Sequence, residues 1–347
     1  MQDPFRIAGN TAVRRVSVRA AYRQENEPNA LFFVLLTVIR SAHRVLRIAA
    51  AGTAVYLGCS LIMGIVLAGN AMHLRRKPLD QNAKLVAMTR QFGTIQKDVA
   101  IQSADGAVLK GWYGQPANGN GSAVILLHGM ADNRQGVTGF AYMFLMHGYA
   151  VLLPDSRAHG ESGGSLATYG VMEREDVRRW AESLRPRITG CIDVFGESMG
   201  GAIAVQTSAV TPGLCAVVAE SSFASFRAIA DDRIGQETGL PPWFTRTLGI
   251  PTRESALLYA RLRYGVDLAD ADPSKAIAIS RVPTLLICGT EDSNIPMRHS
   301  MALERAGRTH TQLWIVEGAE HTAAMSVNPA KYEIEVVGWF DGHGGSR

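Results

Sequence analysis

Residues Gly196, Glu197, Ser198, Met199 and Gly200 set a serine between two glycines, each two positions away. Ahead of them Ile192, Val194 and Phe195 form a short β-branched and aromatic run that reads as a strand. Behind them Ala202, Ile203, Ala204 and Val205 read as the start of a packed helix. A serine at such a junction sits on a tight, strained turn. Glycines on either side remove side chains that would collide as strand and helix close on each other. The hydroxyl is lifted clear of the sheet, where it can attack an acyl carbon, and the next backbone N–H faces the oxygen that would gain charge. Five residues can match this pattern by chance, so the remaining chemistry has to be found elsewhere in the chain.

A serine hydroxyl is a poor nucleophile at neutral pH; it needs a base, and the base needs an orienting acid. In doubly wound hydrolases these follow in the order Ser, Asp or Glu, His. His321 comes directly after the apolar run Trp314-Ile315-Val316 and is the expected base. Asp292 follows Ile287-Cys288-Gly289-Thr290 on a turn before Ile295-Pro296 and is the expected acid; Glu220, after Val217-Val218-Ala219, is the alternative. If it is not the acid, Glu220 is expected to bond nearby loop amides. Glu291 and Glu320 should point to solvent, and His299 and His310 read as surface residues. The oxyanion donors expected are the backbone N–H groups of Met199 and of Met130, in the loop His128-Gly129-Met130. His128 and His159 read as loop-holding residues, with Arg157 and Glu161 tying down residues 156–164. No metal-ligand spacing, P-loop or dinucleotide fingerprint is found, so no cofactor is expected.

The elements that must position these groups can be read in order. Val99-Ala100-Ile101 and the run from Val108 to Tyr113 flank Asp105-Gly106, a hairpin signal. Apolar strands are expected at residues 123–127, 150–153, 214–219, 282–288 and 312–316. Helices are expected between them, one of them carrying Val177, Trp180, Ala181 and Leu184 on a single face. Continuous apolar strands alternating with helices indicate a parallel sheet covered on both faces. Residues 223–281 break the alternation and are expected to form a small helical cap over the strand ends.

Taken together, His128-Gly129, Asp155 with residues 157–164, the Gly196–Gly201 stretch, Gly289-Thr290-Glu291-Asp292 and His321 resemble the α/β-hydrolase superfamily. Within it the chain looks most like bacterial serine hydrolases of the prolyl-oligopeptidase-like group. The resemblance covers roughly residues 98–342. It implies the α/β-hydrolase fold, with a mostly parallel eight-stranded sheet, helices on both faces and a small helical cap. It also implies Ser198, Asp292 and His321 as nucleophile, acid and base, acting on an ester or thioester through an acyl-enzyme. A serine peptidase or aminoacyl hydrolase, or an inactive binding protein on the same scaffold, is the alternative.

The 347 residues carry a net charge of +4 that is unevenly spread. Residues 1–97 hold 14 Lys and Arg against 4 Asp and Glu; the remainder holds 21 against 27. A net-negative main domain argues against nucleic acid as a partner. The basic excess flanks residues 48–69, an uncharged run long enough to cross a bilayer. Arg40, Arg44 and Arg47 precede this run and Arg75-Arg76-Lys77 close it. A cleaved signal peptide would use Gly69-Asn70-Ala71; the length of the run and of the region before it favour an uncleaved anchor. The expected organisation is a basic tail and collar (1–47), a transmembrane helix (48–69), a linker with a helix around Leu85 to Met88 (70–97) and the hydrolase domain (98–347). The N-terminal charge favours N-inside, with the domain on the periplasmic side of a bacterial inner membrane. A lipid-like acyl substrate would suit that setting. Cys59, Cys191, Cys215 and Cys288 lack disulfide or metal spacing and read as buried structural thiols.

Overall fold

A computed structural model describes residues 30–80 and 95–344; the expected N-terminal tail and most of the expected linker helix lie outside the described residues. The chain divides after Gly58 into two units. The first contains most of helix α1 (Ala30–Met72), in which Phe33, Val38, Leu46, Ile48 and Val55 are exposed. The helix starts earlier than expected and runs straight through the basic collar. Its 43 residues correspond to about 65 Å, roughly twice the hydrocarbon thickness of a bilayer. It is long and apolar enough to span a membrane.

The second unit is built on eight strands: β1 (Ile95–Gln102), β2 (Val108–Gln115), β3 (Ala123–Leu127), β4 (Ala150–Pro154), β5 (Ile192–Glu197), β6 (Val217–Glu220), β7 (Thr284–Gly289) and β8 (Thr311–Val316). They form one sheet in the order β1-β2-β4-β3-β5-β6-β7-β8. β1 pairs antiparallel with β2 and β2 antiparallel with β4, while all later pairs are parallel. The helices between are α2 (Thr138–Met146), α3 (Glu173–Leu184), α4 (Met199–Thr207), α5 (Phe226–Thr238), α6 (Pro242–Thr245), α7 (Ile250–Tyr264), α8 (Pro273–Ile279), α9 (Arg298–Gly307), α10 (Ala324–Val327) and α11 (Pro329–His343).

The strands read as unbroken apolar runs because both of their faces are covered. Side chains alternate along a strand, so Ile125, Leu127 and Val194 enter one core with Val177, Trp180 and Ile203 from α3 and α4. Val124, Leu126 and Phe195 enter the other with Phe140 and Phe144 from α2 and Tyr332 and Phe340 from α11. Each such fully buried large side chain contributes about 2 kcal/mol by removal of its surface from water. The register pairs Leu127 with Gly196 and Glu197 with Glu220, bringing the carboxyl ends of β3, β5 and β6 to one edge. Between β6 and β7 lie α5 to α8, so the segment that broke the alternation is helical.

Two expectations are corrected here. Cys191 and Cys215 are joined by a disulfide that bridges the entries to β5 and β6. Parallel pairing of these neighbouring strands brings the two residues to a Cα separation of 5.7 Å, which their 24-residue spacing does not reveal. Cys59 and Cys288 are free thiols, and Cys59 is exposed rather than buried. The end of α1 and the residues after it are also not a plain membrane flank. Met72 is fully buried in the core of the second unit, and its carbonyl accepts from Ala167 N–H at 2.9 Å. Arg76 donates to the carbonyls of Gly160, Ser162 and Gly164, and Lys77 pairs with Asp132 at 2.7 Å. These two cations belong to the protein rather than to lipid headgroups.

Candidate active site

The turn between β5 and α4 carries Ser198 at φ 54°, ψ −118°, a left-handed conformation that costs a non-glycine residue about 1–3 kcal/mol. Tight packing enforces it. A Cβ on Gly196 would lie 2.2 Å from the Gly200 carbonyl oxygen, and one on Gly200 would lie 2.2 Å from that of Leu127. The strand and helix can approach only if both positions are glycine. Ser198 N–H is held by the Glu220 carbonyl at 2.9 Å, tying the turn to the neighbouring strand.

His321 sits in the loop after β8 with Nε2 3.0 Å from Ser198 Oγ and Nδ1 2.9 Å from Asp292 Oδ2. An ionised carboxylate only accepts, so Nδ1 carries the proton and Nε2 is left to accept from the serine. Burial would raise the Asp292 carboxyl, but the hydrogen bond from His321, then that from Ile295 N–H, holds it below the usual carboxylate value. Asn294 N–H also donates to it, at 3.0 Å. Asp292 is therefore an anion at neutral pH, buried and aimed at the imidazole. Glu220 is not the histidine's partner: it accepts from Ala324 N–H at 3.0 Å and Tyr332 Oη at 2.6 Å. Glu291 and Glu320 are exposed.

The loop after β3 passes beside the serine; a Cβ on Gly129 would lie 3.6 Å from Ser198 Cβ. Met130 and Met199 border the same cavity as Ser198. Two histidines fix this loop from behind. His159 Nε2 accepts from Ala131 N–H at 3.2 Å while its Nδ1 bonds the Arg157 carbonyl, and His128 Nε2 accepts from Ser156 N–H at 3.1 Å. Burial, followed by repulsion from His159, lowers His128 to about 4, so it is a neutral structural group at pH 7. Arg157 is clamped by Asp176 at 2.7 and 2.9 Å, and Glu161 by Arg134 at 2.6 Å.

Residues 124–333 match the sequence profile of the alpha/beta hydrolase family. The chain belongs to that family. An uncharacterized protein of Bacillus subtilis, YqkD, is 29% identical over 245 residues, covering 70% of this chain and 78% of its own. Lipase 1 of Psychrobacter immobilis is 28% identical over 130 residues, or 37% of this chain and 39% of the lipase. Among solved structures, an esterase of Pyrococcus furiosus superposes with a TM-score of 0.63 at 23% identity, covering 80% of this chain and all of the esterase. An acylaminoacyl peptidase of Pyrococcus horikoshii superposes with 0.55 at 17% identity, over 76% of this chain and 44% of the peptidase.

Several groups around the site of this hydrolase were not singled out from sequence. Ser221, itself at φ 51°, bonds Asp292 with its hydroxyl and accepts from Thr322 N–H at 3.2 Å, linking the acid to the residue after His321. A serine after a strand carries no signal of such a role. Glu197 is pushed up to about 8, first by burial and then by the charge of Glu220 opposite it; it also accepts from Gly129 N–H. Its neutral carboxyl bridges the Ser198 turn to the Gly129 loop. His299, expected at the surface, is instead buried: Nε2 bonds Asp232 at 2.7 Å and Nδ1 accepts from Ala224 N–H at 3.2 Å, pinning α9 to the cap. His310 is half-buried and bonds the Ile277 carbonyl.

Ser198 opens into a cavity of about 320 Å³ between the strand ends and the cap. Phe223, Phe226, Ile229, Leu268 and Ile295 supply much of its apolar lining. No group of three or more potential metal ligands occurs among the described residues.

Proposed function

We propose that the protein is a membrane-anchored serine hydrolase that cleaves a carboxylic ester or thioester through an acyl-serine intermediate. The observation that carries this reading is the linear arrangement Ser198 Oγ, His321, Asp292, with contacts of 3.0 and 2.9 Å, at the edge of an apolar cavity. His321 takes the Ser198 proton as Oγ attacks the acyl carbon, and Asp292 stabilises the imidazolium. Met199 and Met130 N–H receive the oxyanion, each such donor lowering the barrier by roughly 3 kcal/mol. The imidazolium then protonates the departing alcohol or thiol. Water, deprotonated by the same histidine, releases the acid and restores the serine.

The largely apolar lining of the cavity suits an acyl chain, which supports an ester or thioester over a peptide as substrate. For location, α1 serves as the membrane anchor through the exposed apolar stretch ahead of the turns that pack on the domain, with the N-terminus inside and the domain in the periplasm. The Cys191–Cys215 disulfide fits that oxidising side, and the N-terminal basic excess fits the cytoplasmic one.

Ser198→Ala should abolish turnover of short-chain p-nitrophenyl esters, a loss of roughly 10⁴-fold or more. Undiminished turnover by the folded variant would refute Ser198 as nucleophile. Full-length protein should stay with membranes through a carbonate wash; quantitative release would defeat the anchor.

A further inference from the structure

The cavity beside Ser198 is not walled by the sheet and cap alone. Leu67, Ala68, Asn70, Ala71 and Leu74 also line it, and these belong to the last turns of α1 and its exit. That segment is built into the domain. Ser60, Ala68 and Met72 are buried, and a Cβ on Gly64 would lie 2.6 Å from the Thr252 carbonyl oxygen and 2.7 Å from Ser255 Cβ of α7. Tyr169 Oη donates to the Ala71 carbonyl at 2.7 Å. The uncharged run that is long enough to cross a bilayer thus ends as part of the substrate wall.

Another part of the wall is one face of α5, where Ile229, Ala230, Arg233 and Ile234 line the cavity. Arg233 is the unusual member. It is half-buried, and it donates a hydrogen bond to the Gln236 side chain at 2.8 Å. Among the described residues no carboxylate lies within ion-pair distance of it, whereas the cavity's other arginine, Arg253, is paired with Asp231 at 2.7 Å and Glu254 at 2.9 Å. The carboxylates of Asp292, Glu237 and Asp232 attract it only at longer range; Glu237, exposed to solvent, also lines the cavity. A guanidinium desolvated without a counter-charge in contact is costly, and an incoming anion would relieve that cost.

Resting on the hydrolase reading above, we propose that the natural substrate is a single-chain acyl amphiphile whose alcohol carries an anionic group. Its chain packs against the α1 wall and its carboxylate or phosphate pairs with Arg233. Arg233 is then a specificity residue. The covalent step is unchanged: the ester C–O bond breaks as the acyl carbon joins Ser198 Oγ, and the anionic alcohol leaves with the proton from His321.

The test uses full-length protein in detergent and three octanoyl esters: octanoylglycerol, its 3-phosphate and octanoylglycolate. Wild type should prefer the two anionic esters in kcat/KM by roughly ten- to hundredfold, the range of one charge-assisted hydrogen bond. A preference for only one of them identifies phosphate or carboxylate as the recognised group. Arg233→Met should bring the ratio close to one while the variant still labels with fluorophosphonate, which shows that it is folded and reactive. Ala71→Phe, which fills the α1 wall, should shift the preferred chain length downward. No anionic preference in wild type, or an unchanged ratio in Arg233→Met, would overturn the proposal. Failure of wild type to label with fluorophosphonate would instead strike the serine-hydrolase reading on which it rests.

Discussion

At the scale of single residues, two acids near Ser198 behave in opposite ways. Asp292 is held below its ordinary value and works as an anion, so Asp292→Asn should cut kcat by about 10⁴-fold by favouring the wrong imidazole tautomer. Its lowered value contributes stability that is present above the carboxylate's unfolded value and is lost as pH falls through the folded one. Glu197 has the opposite sign. With a folded value near 8 against 4.5 unfolded, its contribution is full below pH 4.5 and declines as pH rises towards 8. Glu197→Gln should therefore flatten the fall in stability between pH 4.5 and 8, as read by denaturant midpoints across that range. An unaltered pH profile would show that Glu197 ionises normally. The serine, histidine and aspartate could be read from sequence because each ends an apolar strand and their chain order is diagnostic. Glu197 and Ser221 could not, because their roles arise from strands and loops that meet only in the fold, whereas the bond from a loop amide to Glu220 was within reach of its place at a strand end.

At the scale of elements, periodicity exposed the strands and the α3 face, since burial on both faces leaves unbroken apolar runs. It could not separate the two contexts of α1. An uncharged run looks the same whether lipid or protein covers it, and only the packing of Gly64 against α7 distinguishes them. Similarly, the burial of His299 leaves no mark in the sequence, because its partner, Asp232, lies on a cap helix far away in the chain. Gly64→Leu should force α1 away from α7 and destabilise the hydrolase unit by roughly 1–3 kcal/mol, the usual cost of overpacking. Gly52→Leu is the control, because nothing lies within 4 Å of its added Cβ. Thermal unfolding in detergent compares the two. Equal midpoints would mean that the end of α1 does not pack on the cap.

At the scale of the whole molecule, the disulfide closes a loop of 24 residues between strands that are already neighbours in the sheet. Its removal in a Cys191→Ala, Cys215→Ala double variant should cost roughly 3 kcal/mol, measured by chemical denaturation under oxidising conditions. Thiol trapping of the protein from cells reports the compartment as well: an oxidised pair fits a periplasmic domain, and a fully reduced pair would contradict it. What unites the fold, the cavity and the triad is the claim that Ser198 is an activated nucleophile. The most direct test is to label the full-length protein with a fluorophosphonate, digest it and locate the adduct by mass spectrometry. A single stoichiometric adduct on Ser198, lost in His321→Ala, is the expected result. An unlabelled Ser198 in folded protein, or an adduct at another residue, would contradict it.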